Sequence, residues 1–146
     1  MIKKIHSNNP ILYWLGVVHI LVFGVLMAYY PFSDTVVLGV NALIKPMKFA
    51  LSIWVYSWTM ALILHHINDK RKVKIYSWVA VVAMSFEQIA ITYQAMRGQL
   101  SHFNKSDAFG IVLFSLMGVF ILTITLWTAY MTYIFIRQKT DDLPPQ

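Results

Sequence analysis

The sequence predicts an all-α membrane protein, a bundle of four transmembrane helices. Of its 146 residues 58% are hydrophobic and only 12% are charged, with a mean hydropathy of +0.60. A water-soluble domain carries about 25% charged residues, so this composition does not fit one. Four long apolar segments follow one another, each close to the roughly 20 residues that a helix needs to cross a bilayer. The whole chain, residues 1–146, is therefore interpreted as a single membrane domain.

The first span covers about residues 11–30. Before it, the sequence SNNP predicts Asn9 as the N-cap and Pro10 as the first helical residue, because an Asn side chain accepts a free helix N–H and proline lacks one. The aromatic sequence YYPF ends the span at a membrane interface. No small-residue cleavage site follows the apolar run, so we expect a retained helix rather than a signal peptide.

The second and third spans cover about residues 46–67 and 73–96. Pro46 is expected in the first helical position of the second span. Gly98 is expected just after the third span as a left-handed C-cap. The short connection NDKRK between these spans makes them an antiparallel helical hairpin.

The fourth span covers about residues 108–136 after a predicted cap in the sequence KSD at 105–107. It is longer than a perpendicular crossing requires, so it is expected to tilt or to project from the bilayer. The polar tail at 139–146 is expected to fray. Between the first two spans, residues 35–44 are apolar but too short to cross, which indicates an interfacial or re-entrant segment.

The distribution of lysine and arginine predicts that both termini are cytoplasmic, since the cytoplasmic loops of membrane proteins carry the excess of these residues. The side of the termini carries Lys3, Lys4, Lys70, Arg71, Lys72, Lys74, Arg137 and Lys139, and the other side carries Lys45, Lys48, Arg97 and Lys105. The expected location is the plasma (inner) membrane of a bacterium. The net charge of +6 then reflects topology and contact with anionic lipid, and no nucleic-acid partner is expected.

No cofactor or metal is predicted. The chain has no cysteine, which excludes disulfides, thiolate nucleophiles, Cys-ligated zinc and iron–sulfur clusters. His65 and His66 are adjacent, so their side chains point about 100° apart and do not form a metal-binding i, i+4 pair. Only His19 lies deep in a span, whereas haem held by two histidines needs a second one at matching depth.

The candidate site consists of two stripes of polar side chains on the second and third spans. They are Lys45, Lys48, Ser52 and Tyr56 on the second span, and Glu87, Gln94 and Arg97 on the third. Residues three, four or seven apart share a helix face. At about 1.5 Å of rise per residue the two stripes reach the same depth. We therefore expect a polar pocket between these spans that opens to the outer side.

The cations of this site allow two interpretations. Lysines at the start of a helix are unfavourable unless an anion is near, because the helix dipole is already positive there. Lys48 lies inside the helix above Ser52, which favours an anion. Lys45 fits a flanking residue that extends to the interface, and Arg97 at a helix C-terminus is explained by the dipole alone.

Glu87 is the strongest single candidate, because ionisable groups inside a span are costly and usually functional. The alternative is a protonated carboxyl that bonds to a neighbouring helix, and His19 at similar depth is its expected partner. In the following loop, His102 and Asn104 join the candidate set. His102 fits a loop cap, a general base or a contact with a lipid headgroup.

The segments KPMKF and RGQLSHFN resemble a group of small bacterial membrane proteins that share KPxKF and RGxxSHFN. The resemblance covers about residues 41–104. It implies that the two segments belong together, and it implies no activity and no residue role.

The function expected from these patterns is binding of an anionic amphiphile or acidic small molecule in an extracytoplasmic pocket between the second and third spans. The candidate ligand-binding residues are Lys48, Ser52, Tyr56, Glu87, Gln94, Arg97, His102 and Asn104. One alternative is an enzyme that uses Glu87 or His102 as acid or base on a lipid-like substrate. Another is a non-catalytic accessory or immunity-type subunit, with a membrane-protein partner or a second copy of the chain. Transport is a further alternative, although four helices without a repeat leave little room for alternating access.

Overall fold

A computed structural model describes residues 2–102 and 108–141. Its elements, in order, are α1 (Ile2–Asn8), α2 (Pro10–Tyr29), a 3₁₀ turn (Tyr30–Phe32), β1 (Val36–Val37), β2 (Val40–Asn41), α3 (Ile44–Leu64), α4 (Lys70–Met96) and α5 (Ala108–Asp141). Four of the helices are long and apolar enough to cross a membrane. The prediction of an all-α protein with four membrane-length helices is confirmed, and the short α1 was not predicted.

Two predicted helix ends are confirmed by their local hydrogen bonds and dihedral angles. Asn9 caps α2, since its side-chain oxygen accepts the N–H of Leu12 at 3.1 Å, and Pro10 is the first residue of that helix. After α4, Gly98 adopts the left-handed conformation with φ +65°. Both features are local, because a cap depends only on the few residues that follow or precede it.

Two helices begin earlier than the sequence indicated. α3 begins at Ile44, so that Pro46 is its third residue rather than its first. α4 begins at Lys70 because the Asp69 carboxylate accepts the N–H of Lys72 at 3.0 Å and caps the helix there. The backbone N–H of Lys72 bonded to this carboxylate holds the pKa of Asp69 below its usual value. The connection between α3 and α4 is therefore only residues 65–69.

The fourth membrane-length helix, α5, extends beyond the predicted end at residue 136 and reaches Asp141. Only the first part of the tail predicted at 139–146 is thus in the described helix. Residues 142–146 and the predicted cap at 105–107 lie outside the described residues.

The segment predicted to be interfacial or re-entrant forms a small β-hairpin. Val36 pairs with Asn41, and Val37 pairs with Val40, in an antiparallel arrangement. Both residues at the tip have positive φ, 52° at Leu38 and 80° at Gly39, which matches the two-residue hairpin turn that follows strand twist. Leu38 adopts this conformation at some conformational cost and is 84% exposed.

The helices pack as two close pairs, α2 with α3 and α4 with α5, and the pairs meet where α4 contacts both α3 and α2. α4 is the central helix, since it contacts α2, α3 and α5. Of the residues in its most apolar stretch 44% are buried, compared with 17% in α5. α2 and α3 approach closely at Gly16, where an added Cβ would lie 2.4 Å from the Trp58 ring. The Trp58 indole stacks on Tyr13 and donates to its carbonyl oxygen at 3.2 Å.

The two ends of the bundle differ. The end that contains the α3–α4 connection, here the turn end, is closed by buried apolar side chains: Ile5, Leu12, Leu64, Ile67, Val73 and Tyr76. The end that contains β1 and β2, here the hairpin end, holds most of the candidate site residues. The site therefore lies at the hairpin end, away from this apolar cluster.

Candidate functional site

A cavity of about 430 Å³ opens at the hairpin end. It lies between the β-hairpin, the first half of α3, the last turns of α4 and the loop that follows α4. Most of its wall is apolar, and its polar side chains are Asn41, Lys45, Lys48, Ser52, Gln99 and Ser101. Small-molecule sites have this size and this mixture of an apolar wall with a few polar groups.

Two exposed lysines at the start of α3 line this cavity. Lys45 and Lys48 both line it, and the hydroxyl of Ser52, one turn further along, donates to the carbonyl oxygen of Lys48 at 2.8 Å. The N-cap position Leu43 provides no side-chain hydrogen bond to the helix. Positive side chains and the positive end of the helix dipole therefore meet at one wall, where an anion is favoured.

Lys45 connects this wall to the loop after α4. Its ammonium nitrogen lies 3.0 Å from Nδ1 of His102, and the Ser101 hydroxyl lies 3.1 Å from the same nitrogen. Burial, and then the charge of Lys45, lower the pKa of His102 below its usual value. Because an ammonium group can only donate, Nδ1 is the acceptor and the ring proton lies on Nε2.

The sequence interpretation of this group was incomplete. Lys45 fitted a flanking residue, but in the structure it bonds to His102 and lines the cavity. Ser101 was not a candidate at all, although its side chain is buried and also lines the cavity. Its only sequence signal was its position beside His102, and serines next to histidines are too common to single one out.

Glu87 lies beneath the cavity. It is four residues before Ile91 and eight before Ala95, which both line the cavity, so the three residues form one row on α4. Its side chain is 0% exposed, and neither carboxyl oxygen has a hydrogen-bond partner among the described residues. An unpaired carboxyl in such a place is costly, so this position favours a functional role.

The predicted pairing of Glu87 with His19 does not form. Nδ1 of His19 lies 2.8 Å from the carbonyl oxygen of Leu15, one turn earlier in α2. His19 does not line the cavity, and both carboxyl oxygens of Glu87 are without a hydrogen-bond partner among the described residues. His19 therefore has a structural role in α2 rather than a place in the cavity.

Tyr56 lies away from the cavity, although it shares a predicted stripe with Lys48. Its hydroxyl bonds with the hydroxyl of Tyr76 on α4 and lies 3.3 Å from that of Thr128 on α5. The group links three helices by hydrogen bonds within the bundle. This arrangement satisfies buried hydroxyls and stabilises helix contacts.

Gln94 and Arg97 hold the loop after α4 in place. The fully buried Gln94 donates to the carbonyl oxygen of Leu100 at 3.4 Å and accepts from the Arg97 guanidinium at 3.2 Å. The guanidinium carbon of Arg97 lies 5.2 Å from the ring centre of Phe109, a cation–π contact with α5. These residues position the cavity loop, while the candidate Asn104 lies outside the described residues.

Comparisons with protein-family models, with curated proteins and with solved structures found no match to this chain. The resemblance of KPMKF and RGQLSHFN to small bacterial membrane proteins stays a prediction. In the structure these two segments meet through the contact between Lys45 and His102. Within residues 2–102 and 108–141, no three histidine or carboxylate side chains lie together as a metal site.

Proposed function

We propose that this protein is an integral membrane protein that binds an anionic amphiphile, or an acidic small molecule with an apolar body, in the cavity between α3 and α4. The observation that carries the proposal is a mostly apolar cavity of about 430 Å³ with two lysines on one wall. An apolar wall selects a ligand with a hydrocarbon part, because burying that part removes it from water. Two ammonium groups at one wall select a negative charge on the same ligand.

Each part of the cavity has a role in this proposal. Lys48 and Lys45 pair with the anionic group, and the side chains of Phe49 and Ile91 contact the apolar part. Both lysines are exposed at the mouth of the cavity, so their contribution is to select the charge of the ligand, while the apolar wall contributes the burial of its hydrocarbon part. Glu87 below the cavity competes with the ligand for Lys45 when it is ionised.

The proposal also includes the orientation of the chain. With both termini in the cytoplasm of a bacterium, the hairpin end and its cavity face the extracytoplasmic side of the inner membrane. The excess of lysine and arginine at the turn end and the chain termini supports this orientation. The ligand then enters from the outer leaflet or from the space outside it.

The test is mass spectrometry of lipids and small molecules retained by the purified protein, compared between wild type and the variants Lys48→Gln and Lys45→Gln. Lys74→Gln is the matched control, because Lys74 is an exposed lysine at the turn end. We expect both cavity variants to lose a specific acidic species by about tenfold or more, the equivalent of one charge contact of about 1.4 kcal/mol. The control retains it.

A cavity-filling variant and defined probes complete the test. Ala95→Leu adds apolar volume to the wall without removing charge, and we expect the acidic species to be lost from it as well. Dodecanoate and dodecyl phosphate then distinguish a carboxylate from a phosphate ligand, and uncharged dodecanol tests the need for charge. If wild type and all four variants retain the same bulk lipid, the proposal is wrong.

A further inference from the structure

We propose that Ser101 is the nucleophile of an acyl-transfer reaction that hydrolyses an anionic monoacyl ester bound in the cavity. The inference rests on the proposed function, because it places the ester of the bound amphiphile beside Ser101. Its basis is the group formed by Ser101, His102 and Lys45. The binding proposal gives a role to Lys45 but none to Ser101 or His102.

Ser101 lies in the wall of the cavity, on a loop that hydrogen bonds hold in place. Its side chain is only 5% exposed, and it lines the same cavity as Lys48. Two hydrogen bonds to Gln94 fix the loop that carries it. The side-chain amide of Gln94 donates to the carbonyl oxygen of Leu100 at 3.4 Å, and the backbone N–H of Gln99 donates to the backbone carbonyl oxygen of Gln94 at 2.9 Å. A nucleophile on a fixed loop loses little entropy when it reacts.

His102 is the base in this proposal. The Ser101 hydroxyl lies 3.1 Å from Nδ1 of His102, within the range for proton transfer from a hydroxyl to a base. A hydroxyl is a weak nucleophile until an adjacent base takes its proton. Nδ1 is the correct atom, because a neutral imidazole with its proton on Nε2 has its lone pair there.

Lys45 links this reaction to ligand binding. Its ammonium group lies 3.0 Å from Nδ1 of His102 and so competes with Ser101 for the same lone pair. When the anionic group of the ligand pairs with Lys45, Nδ1 is left to the Ser101 hydroxyl. The Ser101 hydroxyl already lies within reach of Nδ1 without a ligand, and a ligand of the right charge increases the share of Nδ1 that is free to accept from it.

The reaction balances with water as the second reactant. Ser101 Oγ attacks the ester carbonyl carbon and passes its proton to His102 Nδ1; the bond from carbonyl carbon to alcohol oxygen breaks, and the alcohol leaves with that proton. Water then attacks the acyl-serine and gives a proton to His102. The free acid leaves as Ser101 Oγ recovers the proton.

The experiment is labelling of the full-length protein with a fluorophosphonate, followed by peptide mass spectrometry. We expect one adduct, on Ser101, and a labelling rate at least about 100-fold lower in His102→Gln, the usual contribution of a general base. Ser115→Ala is the matched control, because the Ser115 hydroxyl is exposed and donates to the carbonyl oxygen of Ile111 in its own helix. Release of fatty acid from an anionic monoacyl glycerophosphate should depend on the same two residues.

A second variant keeps the test independent of folding. Ser101→Cys introduces the only thiol in a chain that has no cysteine, so its alkylation rate with iodoacetamide reports the base directly. We expect His102→Gln to slow that alkylation. Equal rates with and without His102 would overturn the proposal, as would a fluorophosphonate adduct that persists in Ser101→Ala.

The two proposals fail in different ways. If wild type retains an anionic amphiphile that Lys48→Gln loses, but Ser101 takes no label, binding stands and the nucleophile proposal is wrong. If Ser101 takes the label while Lys48→Gln retains the same lipid as wild type, the reaction stands and the anion-binding role of Lys48 is wrong.

Discussion

The two ends of the bundle differ in how their buried polar groups are paired. At the turn end, apolar side chains fill the core and polar groups are paired, as where Asn9 donates to the hydroxyl of Ser77 at 2.7 Å. At the hairpin end, a cavity remains open and the carboxyl oxygens of Glu87 have no hydrogen-bond partner among the described residues. Filled cores and paired polar groups stabilise a fold, whereas cavities and unpaired groups cost stability.

The residues that stabilise the fold and the residues of the candidate site therefore lie at different ends of the same helices. α3 and α4 each extend over the distance between the turn end and the hairpin end, so the same two helices contribute to the packed core and to the cavity. Sites that bind ligands are commonly less stable than the scaffold that holds them. Substitutions at the turn end should therefore act on unfolding, and those at the hairpin end on binding.

The largest effect on stability is expected from Gly16→Ala. An added Cβ would lie 2.4 Å from Trp58, whose ring cannot move freely because it stacks on Tyr13. Overpacking of this kind costs about 1–3 kcal/mol. The measurement is thermal unfolding in detergent micelles. Gly24→Ala on the same helix is the control, since its Cβ would meet nothing within 4 Å, and equal shifts for the two variants would contradict the packing difference.

A somewhat smaller loss is expected from Asn9→Ala. The variant removes the cap that accepts the N–H of Leu12 and the hydrogen bond to Ser77 in one step. Loss of such a cap costs about 0.5–2 kcal/mol of unfolding free energy. Ser7→Ala provides the comparison, because the Ser7 hydroxyl is exposed and its loss should be nearly neutral. A Ser7→Ala effect as large as that of Asn9→Ala would show that the turn end is not specially packed here.

The smallest effect is expected from acid at the hairpin end. The pKa of His102 in the folded protein lies below its unfolded value of about 6.5. Between those two pKa values the unfolded chain binds more protons than the folded protein does. The free energy of unfolding therefore falls as the pH falls below about 6.5. Protonated His102 also loses the bond from Lys45 and repels it.

The measurement for His102 is the difference in unfolding temperature between pH 7.5 and pH 5.5, in wild type and in His102→Gln. We expect a loss below about 1 kcal/mol in wild type, because the site is partly open to solvent, and a smaller loss in the variant. The same acid range should slow fluorophosphonate labelling of Ser101. An identical pH dependence in both proteins would assign the effect to another group.

The helices were predictable because the bilayer demands a fixed length of apolar chain, and the caps at Asn9 and Gly98 depend only on nearby residues. The β-hairpin was not predictable. Its strands are two residues long, and its tip places Leu38, a residue that avoids positive φ, where Asn or Gly is the usual signal. No periodic pattern arises from such short strands.

The candidate site was predictable in part, for reasons of helix geometry. Lys48 and Ser52 lie on the cavity wall, but Tyr56, further along the same row, contacts α4 and α5 instead. Helices cross at an angle, so a row of side chains on one face meets different neighbours at different depths. The bond between Lys45 and His102 joins positions 57 residues apart, and no local pattern predicts such a contact.

The pairing of α2 with α3 and of α4 with α5 also has a mechanical consequence. The cavity lies where the two pairs meet, and at the other end of that seam the pairs are joined by residues 65–69, where the ammonium group of Lys70 donates to the carbonyl oxygen of His65 at 2.9 Å. A small change in the angle between the two helix pairs would widen the mouth of the cavity most and would change the packing at the turn end least. In this geometry residues 65–69 are the pivot of such a change, and the wall that carries Lys45 and Lys48 is the part it displaces furthest.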